Sequence, residues 1–337
     1  MINTAALENK LSALNIPGKV VKIDSNIFYN DIYISFPDYI TFNKIKARKT
    51  DIEIFLNTAI EITYNNGCIV IRSSQKNHNV IKTFDYMSGI KSGDHILPLA
   101  IGQNENSEKV YIDLTKAPHL LAGGATGSGK SVFLNNCIIS LLYGAKSALC
   151  LIDVKRVEFS IYDGISNLAA PIAYTTRDAK KLLKNAVYEM EKRYDKLQKS
   201  GCRSIQEYNQ KHNDMQYVTI IIDELADLLL QDKSIETLIV RIAQLGRAAG
   251  MHLILATQRP DATIISGLIR ANIPSRICFA VQKATDSRII LDETGGEKLT
   301  GAGDGILKLA GSNSQRIQAP YISTEDVQKV VDYLKSL

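Results

Sequence analysis

The residues that most constrain this chain are Gly124-Ala125-Thr126-Gly127-Ser128-Gly129-Lys130-Ser131. They satisfy the pattern GxxxxGK[ST] in full. The glycines let consecutive backbone N–H groups turn inward around a phosphate. A helix N-terminus directly after them adds partial positive charge. Lys130 can reach the β and γ phosphates of a nucleoside triphosphate, and the Ser131 hydroxyl can bind Mg2+. Such a loop needs a buried strand before it and a helix after it. Leu120-Leu121-Ala122 supplies the strand, and Ser131 to Tyr143 reads as a helix that ends at Gly144. A chance glycine-rich turn would not require that setting.

A phosphate loop also needs an acidic partner on a neighbouring strand. Val218-Thr219-Ile220-Ile221-Ile222-Asp223-Glu224 supplies it. Asp223 at the strand end can join the Mg2+ shell, and Glu224 can polarise an attacking water. An ordinary buried strand followed by an acid-capped helix would look similar, but the complete loop upstream weighs against that reading. The adjacent Asp-Glu pair favours an ATPase that activates its own water over a kinase or a small GTPase. Gln258, after the apolar run 252–257, is placed to touch the γ-phosphate or to serve as a plain turn residue. ATP and Mg2+ are therefore the expected cofactors.

The rest of the chain is consistent with that centre. From about residue 110, apolar strands alternate with helices. Strands are expected at 148–154, 217–222, 251–256, 276–281 and 305–309, and helices at 178–199, 235–245 and 324–335. Thr175 or Thr176 can cap the first of these helices and Ser323 the last. Uniformly apolar strands between helices imply an α/β fold with a mainly parallel sheet covered on both faces. The first hundred residues differ. Period-two runs at 31–36 and 68–72, with the turn signal Asn65-Asn66-Gly67, read as a small α+β domain. Lys49 to Ile60 fits helix or strand equally. The expected division is 1–100 and 101–337.

Composition excludes little beyond the unusual classes. The 337 residues are 45% hydrophobic and 22% charged, which rules out disorder and a collagen-like chain. The five cysteines, at 68, 137, 150, 202 and 278, form no CxxC pair and suggest reduced structural thiols rather than zinc or disulfides. No apolar run is long enough to span a bilayer, so a cytoplasmic protein without membrane contact is expected. The net charge of +5 permits nucleic-acid binding without arguing for it.

Several separate blocks together resemble the FtsK/SpoIIIE DNA translocase family. They are Pro118-His119-Leu120-Leu121 leading into the phosphate loop, Leu151-Ile152-Asp153-Val154-Lys155 with Glu158, the run 188–194, and 220–229. To these add residues 242–277, Asp286-Ser287-Arg288, and the run from Leu291 to Asp304 that ends Gly301-Ala302-Gly303-Asp304. The resemblance is strong over 100–325 and loose over 15–100. The family usually has Pro where this chain has Val154. A membrane-spanning leader and a terminal winged-helix domain, present in chromosomal members, are not expected here. A compact motor from a plasmid or other mobile element is the expectation.

The resemblance implies a RecA-like P-loop motor, preceded by the small domain, that forms a hexameric ring around double-stranded DNA. ATP would lie between subunits, so an arginine from the neighbour could act on it, an effect worth about 10³ to 10⁵ in rate. Arg276 is the first choice, with Arg247 and Arg288 as alternatives. Channel contacts to DNA phosphates are expected from Arg259, Arg270, Lys308 and Arg316, without sequence readout. Lys44 to Lys49 could also touch DNA, though a solvated face explains that run as well. His119 and His252 are expected to be packed or beside the adenine rather than catalytic. Two other functions fit less well: a nucleotide-switched replication or remodelling accessory protein, and a protein-secretion motor of the same superfamily.

Overall fold

The structure is a computed structural model that describes residues 2–65, 67–75, 80–92, 95–144 and 147–336. Contacts divide the chain into two compact units, 1–79 with 105–107, and 80–104 with 108–337. The division thus falls about twenty residues before the expected one. The reason is β-pairing: the strand beginning at Pro98 belongs to the large sheet of the second unit.

The first unit opens with helix α1 (Thr4–Ala13) and holds strands β1 (Lys19–Ser25), β2 (Tyr29–Ser35), β3 (Ile60–Asn65) and β4 (Cys68–Ser74). They form an antiparallel sheet in the order β1-β2-β4-β3. Alternation puts Ile32 and Ile34 of β2, Ile60 and Ile62 of β3, and Ile69 and Ile71 of β4 into one core with Leu7 and Leu11. The ambiguous run resolves as both elements. Helix α2 (Phe42–Lys46) precedes α3 (Lys49–Leu56), which ends at Asn57 with φ 51°, and β3 follows. The β3–β4 hairpin pairs Asn65 with Cys68, and Gly67 has φ 81°, as the turn signal requires; Asn66 lies outside the described residues.

The second unit carries a nine-stranded sheet. Before the phosphate loop come α4 (Met87–Ser92), β5 (Pro98–Asn104), β6 (Lys109–Asp113) and β7 (His119–Gly123). After it come α5 (Lys130–Gly144), β8 (Ser147–Ile152), α6 (Thr176–Lys199), α7 (Ile205–Lys211) and β9 (Tyr217–Ile222). Next are α8 (Leu225–Gln231), α9 (Ile235–Ala249), β10 (Met251–Thr257), α10 (Gly267–Asn272), β11 (Ser275–Phe279) and α11 (Ala284–Leu291). The chain continues through β12 (Asp304–Lys308) and β13 (Gln315–Gln318) to α12 (Thr324–Ser336). Thr175 caps α6 by accepting from the Asp178 N–H, and Ser323 accepts from the Asp326 N–H ahead of α12.

The sheet order is β6-β5-β13-β12-β11-β7-β10-β9-β8. Strands β11, β7, β10, β9 and β8 pair in parallel, while β12, β13, β5 and β6 extend the sheet antiparallel. The parallel portion matches the expectation; the antiparallel extension was not foreseen. Both faces are covered. Leu149, Leu151 and Ile221 pack with Phe133 and Ile138 of α5 and Val327 of α12. Cys150, Ile220 and Ile222 pack on the other face with Leu183 of α6, Leu228 of α8 and Ile239 of α9. Strands buried on both faces explain the continuous apolar runs. The parallel strands therefore converge their carboxyl ends on one rim, where Gly124, Asp223 and Gln258 follow β7, β9 and β10.

Candidate functional site

The phosphate loop bridges β7 and α5 and is pinned by its neighbours. The Gly124 N–H donates to Thr257 O at 3.2 Å, and the Ala125 N–H to Ala280 O at 2.8 Å. Gly127 and Gly129 have φ of 78° and 102°, conformations a side chain would strain. A Cβ on Gly129 would also lie 2.4 Å from the Gly303 nitrogen. The Ser128 hydroxyl is buried and has no hydrogen-bond partner. An unmet buried donor in a loop of this shape fits a phosphate.

Lys130 is almost fully buried and leans across to β9. Its Nζ donates to Asp223 O at 2.9 Å and to Asp223 Oδ1 at 3.1 Å. Burial raises the Asp223 pKa; Lys130 opposes that, and Glu158 and Asp153 add to it. The Ser131 hydroxyl donates to Glu158 Oε1 at 2.8 Å. Asp153, at the end of β8, is fully buried. Its Oδ2 accepts from the Glu158 and Phe159 N–H groups, while its Oδ1 has no partner. Hydroxyl and carboxylate oxygens at one loop suit a hard divalent ion held by few protein groups. Among the described residues no set of three or more His, Cys, Asp or Glu side chains could hold a metal ion alone.

Glu224 is also buried, and its carboxylate is held by residues of the rim. Oε1 accepts from the Thr257 hydroxyl at 2.6 Å. The Gln258 N–H donates to Oε2 at 3.0 Å and to Oε1 at 3.2 Å. Lys155 Nζ lies 3.5 Å from Oε2 and 3.1 Å from Asp227 Oδ2. Partial burial works against the Lys155 charge, but Asp227 and Glu224 outweigh it, so its pKa is raised. The Gln258 side chain crosses to the phosphate loop, where its Oε1 accepts from the Thr126 hydroxyl at 2.9 Å. Lys130, Asp223, Glu224 and Gln258 are thus linked around one loop, as the sequence suggests. The contacts of Thr257, Lys155 and Glu158 carried no spacing signal, because they arise from strand order.

Other expected site residues lie elsewhere. Arg276 is buried and spent within its own chain. It donates to Ile273 O at 3.0 Å, Ile290 O at 3.2 Å, Arg270 O at 2.7 Å and Asp292 Oδ2 at 2.5 Å. This corrects its expected role as an arginine offered to a neighbour. Arg247 and Arg288 are exposed. Lys308 and Arg316 are likewise engaged internally, Lys308 with Leu291 O at 2.7 Å and Arg316 with Asp304 at 2.9 and 2.7 Å. Their expected DNA contacts are withdrawn. Arg270 pairs with Asp292 at 3.3 Å. Arg259 is 68% exposed and only 3.8 Å from Asp227, a weak pair that leaves its charge available. His119 and His252 are packed at the opposite ends of β7 and β10 from the phosphate loop.

A phosphate loop after an interior strand, an acidic pair following the next strand but one, and a rim glutamine define a RecA-like P-loop fold. The chain belongs to the FtsK/SpoIIIE family: the model of that family matches residues 88–218 and 210–262. It is 46% identical over 250 residues to the DNA translocase FtsK of Oceanobacillus iheyensis, covering 69% of this chain and 32% of that protein. It is 37% identical over 355 residues to the DNA translocase FtsK of Bacillus cereus, covering 98% of this chain and 45% of that one. The chain therefore spans a third to under half of those relatives. Among solved structures it resembles the pCW3 conjugation coupling protein TcpA, in monomer form with ATPgS. That likeness has a TM-score of 0.73 and 27% identity over 98% of this chain and 99% of that one. Among the described residues no helix is long and apolar enough to cross a membrane.

Proposed function

We propose that this chain is an ATPase that moves along double-stranded DNA as a ring of copies, six by the family's pattern. The observation that carries this reading is the linkage of Lys130, Asp223, Glu224 and Gln258 around one phosphate loop. Lys130 would turn from Asp223 to the phosphates. Glu224 would polarise the attacking water once its rim contacts loosen. Gln258 would exchange Thr126 for the γ-phosphate and pass the change to the segment after β10, where Arg259 is the foremost DNA-contact candidate. Ser131 and Asp223 would hold Mg2+, which neutralises phosphate charge when bound. Arg247 and Arg288 are the exposed candidates for the arginine supplied to a neighbour. A cytoplasmic setting on a mobile element fits, given the whole-length likeness to a conjugation coupling protein.

The test is ATP hydrolysis with and without long duplex DNA at low salt. Strong stimulation is expected, and none would sink the reading. Steady displacement of a triplex-forming strand separates stepping from a nucleotide switch, which would displace nothing.

A further inference from the structure

Residues 300–304 pack against the phosphate loop, and Arg316 holds them there. We propose that this segment is a strap that sets the phosphate loop, and that Arg316 is a positioning residue for nucleotide binding. The proposal rests on the reading of 124–131 as an ATP site.

The strap is unusual backbone. Gly301, Ala302 and Gly303 have successive φ values of 85°, 50° and 90°. An alanine takes that conformation only where its surroundings impose it. Five bonds impose it here. The Asp304 N–H closes onto Gly301 O at 3.0 Å, and the Ala319 N–H donates to Gly303 O at 2.8 Å. Gln318 Nε2 donates to Ala302 O at 2.8 Å. Asp304 Oδ2 accepts from both the N–H and the hydroxyl of Thr300.

The strap then touches the phosphate loop at two points. The Gly303 N–H donates to Ser128 O at 2.9 Å. The Gly303 backbone also occupies the space a Cβ on Gly129 would need. These contacts fix the carbonyl direction of Ser128, and with it the peptide leading into Gly129 and Lys130. Asp304 anchors the strap but is completely buried, so its charge must be met inside the protein. Arg316 meets it with a two-pronged contact at 2.9 and 2.7 Å. The chain of contacts therefore runs from Arg316 through Asp304 and Gly303 to Ser128.

The test compares Arg316→Met and Arg316→Lys with the parent chain. Lysine keeps the charge but loses the fork. The Kd for ATP should rise about tenfold in Arg316→Met, equivalent to roughly 1.4 kcal/mol, and less in Arg316→Lys. KM should rise while kcat at saturating ATP stays near the parent value, a split that a general loss of folded protein would not give. Duplex affinity and its salt slope should not change. If Arg316→Met does not fold, Gln318→Met removes one strap bond and asks the same question. Unchanged ATP affinity in a folded variant overturns the proposal, as does a salt slope shallower by about 0.9, the mark of a lost phosphate contact. If the parent chain itself binds no ATP, the fault lies with the nucleotide-site reading.

Discussion

The Thr257 hydroxyl donates to Glu224 Oε1 at 2.6 Å, while the Thr257 oxygen accepts from the Arg259 N–H at 3.1 Å. One side chain thus joins the carboxylate after β9 to the segment after β10. With the Gln258 N–H and Lys155 also on Glu224, the carboxylate is fully partnered in this arrangement. Glu224→Gln should therefore keep ATP binding and lose hydrolysis by about 10²- to 10⁴-fold, the usual worth of a positioned proton acceptor. Nucleotide binding and steady-state turnover measured on one preparation check this. Normal turnover would remove Glu224 from the chemistry.

Lys130→Ala should behave differently, because Lys130 neutralises a buried carboxylate as well as facing the phosphate loop. ATP binding should be lost. Stability at neutral pH should fall by about 3–5 kcal/mol, since Asp223 is left as an unpaired buried charge. Burial already raises the Asp223 pKa, and removing Lys130 raises it further. A raised carboxyl pKa favours the folded state at low pH and loses that advantage as pH rises through the folded value. The variant should thus recover stability as pH is lowered toward 5, measured by denaturant melts at several pH values.

Arg276→Ala should act on the fold rather than only on a neighbouring subunit. Three backbone carbonyls and Asp292 lose their donor. A loss of about 2 kcal/mol or more is expected from a charged donor removed at a buried site. Thermal unfolding of the isolated chain should show it, at concentrations where copies do not associate. An unchanged melting temperature would restore Arg276 as a candidate for action across subunits.

Buried histidines make acid destabilising. Desolvation lowers His119 to about 3, with the neighbouring His252 adding to the effect, and lowers His252 to about 4. Both stay neutral in the folded chain while their unfolded forms take up protons below about 6.5. The unfolded state then binds more protons, so stability falls as pH drops from about 6.5 to 4, by up to about 1.4 kcal/mol per pH unit for each histidine. Replacing both with Phe should flatten that part of the pH profile.

How much of this was legible in the sequence follows from how local each feature is. The phosphate loop, the strand ending in Asp223-Glu224 and the caps at Thr175 and Ser323 depend on neighbours within a few residues, and their residue types show it. The arginines do not. Arg276 collects acceptors from Arg270, Ile273, Ile290 and Asp292, and Arg316 reaches Asp304 across a hairpin. Nothing near either residue in sequence distinguishes a buried guanidinium from one facing DNA. The domain division slipped for the same reason: β5 belongs with β13, more than two hundred residues later. The continuous apolar strands foretold a covered parallel sheet, but not the antiparallel extension, because pairing direction leaves little mark on such runs.

Strand β13 lies between β5 and β12, so a segment made more than two hundred residues after β5 completes a sheet begun before the phosphate loop. Until residues 315–318 emerge, the β5–β6 hairpin has no route into the rest of the sheet and shows an open edge. The strap against the phosphate loop also waits for Arg316 and Gln318. Nucleotide-site assembly and sheet closure thus fall at the same moment of synthesis. A nascent chain halted before residue 315 would carry the full phosphate-loop sequence with its support unbuilt, and would offer a ready edge to other unfinished chains.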